Sequence, residues 1–220
     1  MLIRSWFPVS ILAAALFIPA VFSSVQAAAA TDLLAISQDE EAKSFIRTLS
    51  GQALQTMLRH DISDAERTRY FREMFRTTAD LEAIGRFVLG RHWHKATADE
   101  RVEFLKLFES ITVYTWSRRF KEYSGQGLTV IRVRSGTAGM EEDVVVESTI
   151  NPSQGAPVSV LWKLKRSEKG LHIIDLVVEG ISMAVTYRSE YGAVIHRSGG
   201  EVGGLLAALR AKVGELRGDD

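Results

Sequence analysis

The sequence predicts an α+β fold. Apolar residues recur at helical spacing from Asp39 to about Tyr123, the period then changes to two across four segments joined by short turn sequences, and helical spacing returns from Tyr187 to Arg217. The composition agrees: 46% hydrophobic and 25% charged residues among 220 describe one soluble globular domain rather than a disordered or fibrous chain. Lys+Arg and Asp+Glu number 27 each, so no net field draws the chain onto nucleic acid. Cysteine is absent, which removes disulfide scaffolds, thiol nucleophiles, thiolate metal sites and lipidated-cysteine tethers.

The N-terminal segment reads as a processing signal. Arg4 is the only charge before Asp32, an apolar run follows from Trp6 to Phe22, and small residues close it at Ser23-Ser24-Val25-Gln26-Ala27-Ala28-Ala29-Ala30. Cleavage is expected after Ala27, with Val25 and Ala27 as the residues read by the peptidase, or slightly later among Ala28 to Ala30. Residues 1–27 are thus expected to be a signal peptide and residues 28–220 one exported domain. Such a domain buries roughly 70% of its unfolded surface, enough for a sizeable core.

In the first helical region, Phe45, Ile46, Leu49, Leu54, Met57 and Leu58 keep helical spacing, with Gly51 as an expected break. Ser63 with Glu66 forms a capping box, opening a helix with Tyr70, Phe71, Met74 and Phe75 on one face and Arg69, Arg72, Glu73 and Arg76 opposite. Asp80 caps a short helix carrying Leu81, Ile84, Phe87 and Val88, which Gly90 ends. Thr97 with Glu100 repeats the capping box before the longest helix, Ala98 to about Tyr123. Phe104, Leu107, Phe108, Ile111 and Tyr114 fall on one side of its wheel and Val102, Leu105, Val113, Trp116 and Phe120 nearly opposite. Such a helix is expected to lie between helices and a sheet.

Four strands are predicted at Leu128–Arg134, Glu142–Ile150, Val158–Arg166 and Leu171–Thr186. Val144, Val146, Ser148 and Ile150 alternate with Asp143, Val145, Glu147 and Thr149; Val158, Val160, Trp162 and Leu164 alternate likewise with their neighbours. The short connections Asn151–Gly155 and Ser167–Gly170 favour an antiparallel meander over parallel crossovers. Glu179-Gly180 reads as a strand bend or bulge. The tail carries Val194, Ile195, Leu205, Leu206, Leu209 and Val213 at helical spacing, interrupted by Gly199, Gly200, Gly203 and Gly204.

Chemistry is sparse. His92 and His94 flank Trp93 with no third ligand at a metal-binding spacing, and they read as a solvent-facing pair at a helix end. No serine sits in a nucleophile elbow, and the glycine cluster from Gly199 to Gly204 follows no strand, so it fails the context of a phosphate loop. Asp175 interrupts the apolar segment Ile173-Ile174-Asp175-Leu176-Val177-Val178. It reads as a hydrogen-bonded or solvent-side structural residue, with a general base acting on a hydrophobic small molecule as the alternative. The row Arg69, Arg72 and Arg76 reads as a solvated face, or as a surface for anionic headgroups or an acidic partner.

Two segments, FVLGRHWHKATADERVEFLKLF from Phe87 to Phe108 and IIDLVVEGISMAVTYRSEYGAVI from Ile173 to Ile195, resemble the MlaC family of periplasmic phospholipid-binding proteins, also called toluene-tolerance proteins. The matching residues are Leu89, Gly90, Trp93, Ala96, Phe104, Phe108, Asp175, Glu179, Gly180, Ile181, Ser182, Met183, Tyr191 and Gly192. The resemblance implies a helical layer packed on a twisted four-stranded antiparallel sheet, enclosing an apolar cavity for lipid tails. It implies a non-enzymatic carrier, without cofactor or metal, that contributes to outer-membrane lipid asymmetry. Such a carrier shuttles phospholipid across the periplasm between the lipid-binding subunit of an inner-membrane ABC transporter and an outer-membrane lipoprotein complex. The chain reads as a monomer, and a hopanoid-type lipid is the alternative cargo. The expected cavity wall is Phe104, Phe108 and Ile111 from the long helix, with Val146, Val160, Trp162, Ile174, Leu176, Met183 and Val185 from the strands. Two tails call for a volume near the upper end of the ~300–1,000 Å³ usual for ligand pockets.

Overall fold

Side-chain caps set the helix boundaries. In the computed structural model the residues described are 22–57, 59, 61–121, 127–136, 143–152 and 155–218. The signal expected over residues 1–27 lies outside them up to residue 21. Contacts divide the chain after Gln38; the first unit is described only from Phe22, where it is helical, and the second runs from Asp39. Helix α1 (Phe22–Met57) continues through Gly51, where a break was expected. One glycine costs a helix only about 1 kcal/mol, and buried Leu49 and Ala53 on either side offset it.

Ser63 and Glu66 form the predicted reciprocal box at the start of α2 (Asp64–Thr78). The Asp80 carboxylate accepts the Ala83 N–H at 2.9 Å to open α3 (Leu81–Leu89). Gly90 follows with φ +53, a conformation that favours glycine; a Cβ there would meet only the mobile end of the Arg188 side chain, 2.9 Å away. Thr97 and Glu100 cap α4 (Ala98–Lys121) reciprocally. After the strands come α5 (Met183–Arg197) and α6 (Val202–Gly218). Among the described residues, no helix is long and apolar enough to cross a membrane.

The sheet is a meander in the order β1 (Leu128–Ser135), β2 (Val144–Ile150), β3 (Val158–Ser167), β4 (Gly170–Val178) and β5 (Ile181–Ser182), antiparallel throughout. The predicted faces meet in register: Val144 opposes Leu164, Val146 opposes Trp162, Ser148 opposes Val160 and Ile150 opposes Val158. The sheet has five strands where four were expected, because the predicted fourth strand ends early. Val178 pairs with Ile181 across a two-residue turn in which Glu179 (φ 50) and Gly180 (φ 79) both take positive φ. Glu179 is held there by its N–H on the Ser159 carbonyl at 3.0 Å and its carboxylate on the Ser159 N–H. Ser182 then accepts the Val185 N–H and caps α5, so Met183 to Thr186 are helical rather than extended.

A second departure lies inside β4. Lys163 opposes Asp175 and Leu164 opposes Ile173, which leaves Ile174 as the extra residue of a bulge. The bulge shifts the two-residue phase. Ile173 and Leu176, which simple alternation separates, therefore join the same apolar cluster.

Two cores result. The segment of α1 carrying Ala42, Ile46 and Leu49 covers one end of the sheet, packing on Val144, Val146, Leu164, Leu171 and Ile173. The larger core joins α3, α4, α5 and α6 around Val88, Phe104, Ile195 and Leu205. Helix α4 packs on α2, α3 and α6. Its remaining face looks toward the sheet across a hollow, so the expected direct sandwich between helices and sheet is opened by a cavity.

Candidate functional site: an apolar cavity between helices and sheet

The cavity lies beneath the C-terminal part of α1, where Leu49, Ser50, Ala53 and Leu54 face a hollow over Ile150, Val158 and Val160. The α2 residues Phe71, Met74 and Phe75 and the α4 residues Phe108 and Trp116 form the opposite wall, and α5 closes one side with Met183, Ala184 and Tyr187. The volume is about 370 Å³. That is near the lower end of the range for ligand pockets rather than the upper end expected, because the rings of Phe71, Phe75, Trp116, Trp162 and Tyr187 occupy part of the space between the layers.

Six of the ten residues expected in the wall line this cavity: Phe108, Val160, Trp162, Ile174, Leu176 and Met183. Phe104 does not. One turn before Phe108, it is fully buried, stacks on Phe108 at 5.8 Å between centroids and meets Tyr191 of α5 edge-on at 6.1 Å. Ile111 belongs to the core that α6 covers with Leu209 and Val213. Val146 lies beneath Ala42 and Ile46 in the solid end of the sheet. Val185 is 55% exposed, because the helical turn from Ser182 directs Met183, Ala184 and Tyr187 inward and Val185 outward.

The α1 and α2 contributions were missed as cavity wall. Their amphipathic faces were legible, but periodicity marks a buried face without telling solid core from hollow. Trp116 was legible as apolar on the second face of α4, and Thr112 and Arg119 gave no signal.

Polar groups around the hollow are mostly engaged within the protein. The Ser50 hydroxyl donates to the Ile46 carbonyl at 2.8 Å and the Thr78 hydroxyl to the Met74 carbonyl at 2.7 Å. Ser148, 1% exposed, accepts the Trp162 indole N–H at 2.9 Å and donates to the Val160 carbonyl at 3.1 Å. Tyr187 is hydrogen-bonded to Trp116, and burial pushes its phenol pKa up, so it stays neutral. Asp175 lines the cavity, with one oxygen accepting the Ser182 hydroxyl at 2.6 Å and the other the Ala184 N–H at 2.9 Å. Its carboxylate therefore ties β4 to the start of α5, where the helix dipole favours negative charge.

Two surface expectations change. His92 is buried rather than solvent-facing, and desolvation, reinforced by Arg91 and Lys95, pulls its imidazole below the usual histidine pKa. His94 is exposed. Among the described residues, no three histidine or carboxylate side chains gather as a metal-binding group. Arg72 and Arg76 are not simply solvated: Arg72 meets the buried Glu109 carboxylate at 2.6 Å and Arg76 at 3.0 Å, joining α2 to α4. Arg69 lies over the Tyr70 ring.

Layers and hollow together define a class: an α+β protein whose helices and antiparallel sheet surround an apolar cavity with a few fixed polar groups. The family model described as MlaC protein matches residues 47–211, and the chain belongs to the MlaC family. Its fold is similar to that of the phospholipid-binding protein from Ralstonia solanacearum, solved in complex with a phospholipid. The two are 24% identical and superpose with a TM-score of 0.72, covering 80% of this chain and 99% of that one.

Proposed function

We propose that this protein is a lipid carrier of the periplasm, exported by its N-terminal signal, that holds the tails of a phospholipid in the α2/α4/sheet cavity. In this reading it passes its cargo between the lipid-binding subunit of an inner-membrane ABC transporter and an outer-membrane lipoprotein complex. The observation that carries the proposal is the apolar cavity of about 370 Å³; family membership and the phospholipid held by the Ralstonia protein support it. Each buried CH₂ is worth about 0.8 kcal/mol, so a tail of ~16 carbons gains on the order of 13 kcal/mol before ordering costs. Such a ligand does not leave spontaneously for water, which is why a carrier of this kind needs partners to unload it. Two-tailed cargo requires the walls to part, and the rings filling the hollow are the side chains that move. Catalysis by Asp175 is disfavoured because both its oxygens already hold the start of α5.

Native mass spectrometry of the exported protein, followed by organic extraction, tests the proposal. A mass increment matching one phospholipid, recovered in the extract, is expected. Protein that emerges empty and takes up no phospholipid from vesicles overturns it, and a polycyclic lipid in the extract replaces the phospholipid as cargo.

A further inference from the structure

One buried side-chain polar atom in the cavity wall has no hydrogen-bond partner among the described residues. Thr112 lines the hollow from α4, is 7% exposed, and its hydroxyl oxygen makes no hydrogen bond. Other helical hydroxyls nearby behave differently. Ser50 and Thr78, which share the cavity lining, donate to the carbonyl four residues back, and Ser117, five residues further along α4, donates to Tyr114 at 3.2 Å. The local bond open to a helical threonine is therefore not made at Thr112. A buried hydroxyl without a partner carries an uncompensated desolvation cost, which a ligand acceptor would relieve.

Residues Phe108, Thr112, Trp116 and Arg119 follow one another along the cavity side of α4 at intervals of four, four and three. Phe108 is buried and Arg119 is exposed, so this stripe runs from the interior to the opening. The Arg119 guanidinium lies over the Trp116 ring, 5.3 Å from its centroid. At about 1.5 Å per residue, Arg119 stands roughly 10 Å beyond Thr112 along the helix axis. The order along the stripe is hydrocarbon, hydroxyl donor, ring, cation. In a glycerophospholipid the order is hydrocarbon tail, ester carbonyl, then phosphate a few bonds farther out.

We infer that α4 reads the junction of an ester-linked phospholipid: the Thr112 hydroxyl donates to an acyl ester carbonyl, and Arg119 faces the phosphate. This rests on the carrier reading and adds which lipids the cavity takes. A hydrocarbon of the same size without an ester leaves Thr112 unsatisfied, so the site selects for ester lipids over purely polycyclic or ether-linked ones. Arg119 is exposed and screened by salt, so its share is smaller than that of the buried hydroxyl. Asp175, the carboxylate in the cavity lining, is taken up by Ser182 and Ala184 and does not compete for Arg119.

The test compares phosphatidylethanolamine with two ester-linked chains against the analogue with the same chains in ether linkage, each offered in vesicles to delipidated protein. The wild type is expected to prefer the ester form by about fivefold. Thr112→Val, which keeps the shape and removes the hydroxyl, abolishes that preference while still binding the ether lipid; Thr112→Ser retains it. Arg119→Gln lowers the preference for the phospholipid over diacylglycerol with the same chains by about threefold at low salt, and raising the salt diminishes this difference. A wild type indifferent to ester or ether, or a Thr112→Val protein that discriminates as well as the wild type, overturns the inference and leaves the carrier intact. Failure of the wild type to bind either lipid overturns the carrier reading itself. Should Thr112→Val fail to fold, the wild-type comparison and Thr112→Ser still decide.

Discussion

The Asp175 carboxylate is a joint between β4 and the start of α5. An acid inside an apolar strand invites a catalytic reading, but its two oxygens are spent on the Ser182 hydroxyl and the Ala184 N–H. Both partners belong to the turn that starts α5. Asp175→Asn keeps the shape and removes the charge, and it is expected to destabilise the protein by about 1.5 kcal/mol, the worth of a charge-assisted bond at a helix N-terminus. Thermal melts measure that loss. Phospholipid retention is expected to survive it, and a variant that folds normally yet loses all its lipid contradicts the structural assignment. The sequence showed that Asp175 was unusual, since polar residues interrupt apolar runs only for a reason. It did not show the reason, because Ser182 lies seven residues away across a turn whose type depends on the positive φ of Glu179 and Gly180.

At the scale of elements, the joint between α2 and α4 is ionic as well as apolar. Phe71 and Val113 supply the apolar part. Glu109, buried on α4, receives Arg72 at 2.6 Å and Arg76 at 3.0 Å from α2. These two helices carry one wall of the cavity, so their spacing sets its width. Removing one partner of a buried pair leaves the other unpaired, and Glu109→Gln is expected to cost about 2–3 kcal/mol, below the full penalty because Arg76 is 57% exposed and can turn to water. Urea unfolding of the single variants and of the Glu109→Gln/Arg72→Met double variant measures the coupling; a loss below about 0.5 kcal/mol would assign the joint to the apolar contacts alone. The arginine row on α2 was visible at helical spacing. Its carboxylate partner was not, since Glu109 lies more than thirty positions downstream and carries no mark that separates a buried glutamate from an exposed one.

For the whole molecule, the decisive feature is a core that is solid at one end of the sheet and hollow at the other. The change occurs along α1, from Ala42 and Ile46 packed on the strands, through Leu49, which touches both, to Ser50, Ala53 and Leu54 over the cavity. Ala53→Trp places an indole into that hollow. The space receives it, so the folding cost stays within the ~1–3 kcal/mol of an overpacked core, while lipid is displaced. We expect the variant to purify without phospholipid. Its melting temperature should be the same with or without phospholipid vesicles, whereas the delipidated wild type gains stability on loading because ligand binds only the folded state. Wild-type lipid content in Ala53→Trp would place the cargo elsewhere.

The order of residues was enough to read the α+β class, three helix starts at Ser63, Asp80 and Thr97, the register-ready faces of β2 and β3, and membership of a family recognisable from the segments around Leu89–Phe108 and Asp175–Gly192. These are local properties: capping, period and turn chemistry act over a few residues and leave a direct trace in their order. Packing between layers, by contrast, settled that Phe108 faces the hollow while Phe104, one turn earlier, faces α5, that the bulge at Ile174 changes the phase of β4, and that the Thr112 hydroxyl finds no partner among the described residues. A buried position carries the same apolar signature whether another side chain or an open space lies opposite it, and that depends on how far two layers stand apart, which no single segment encodes.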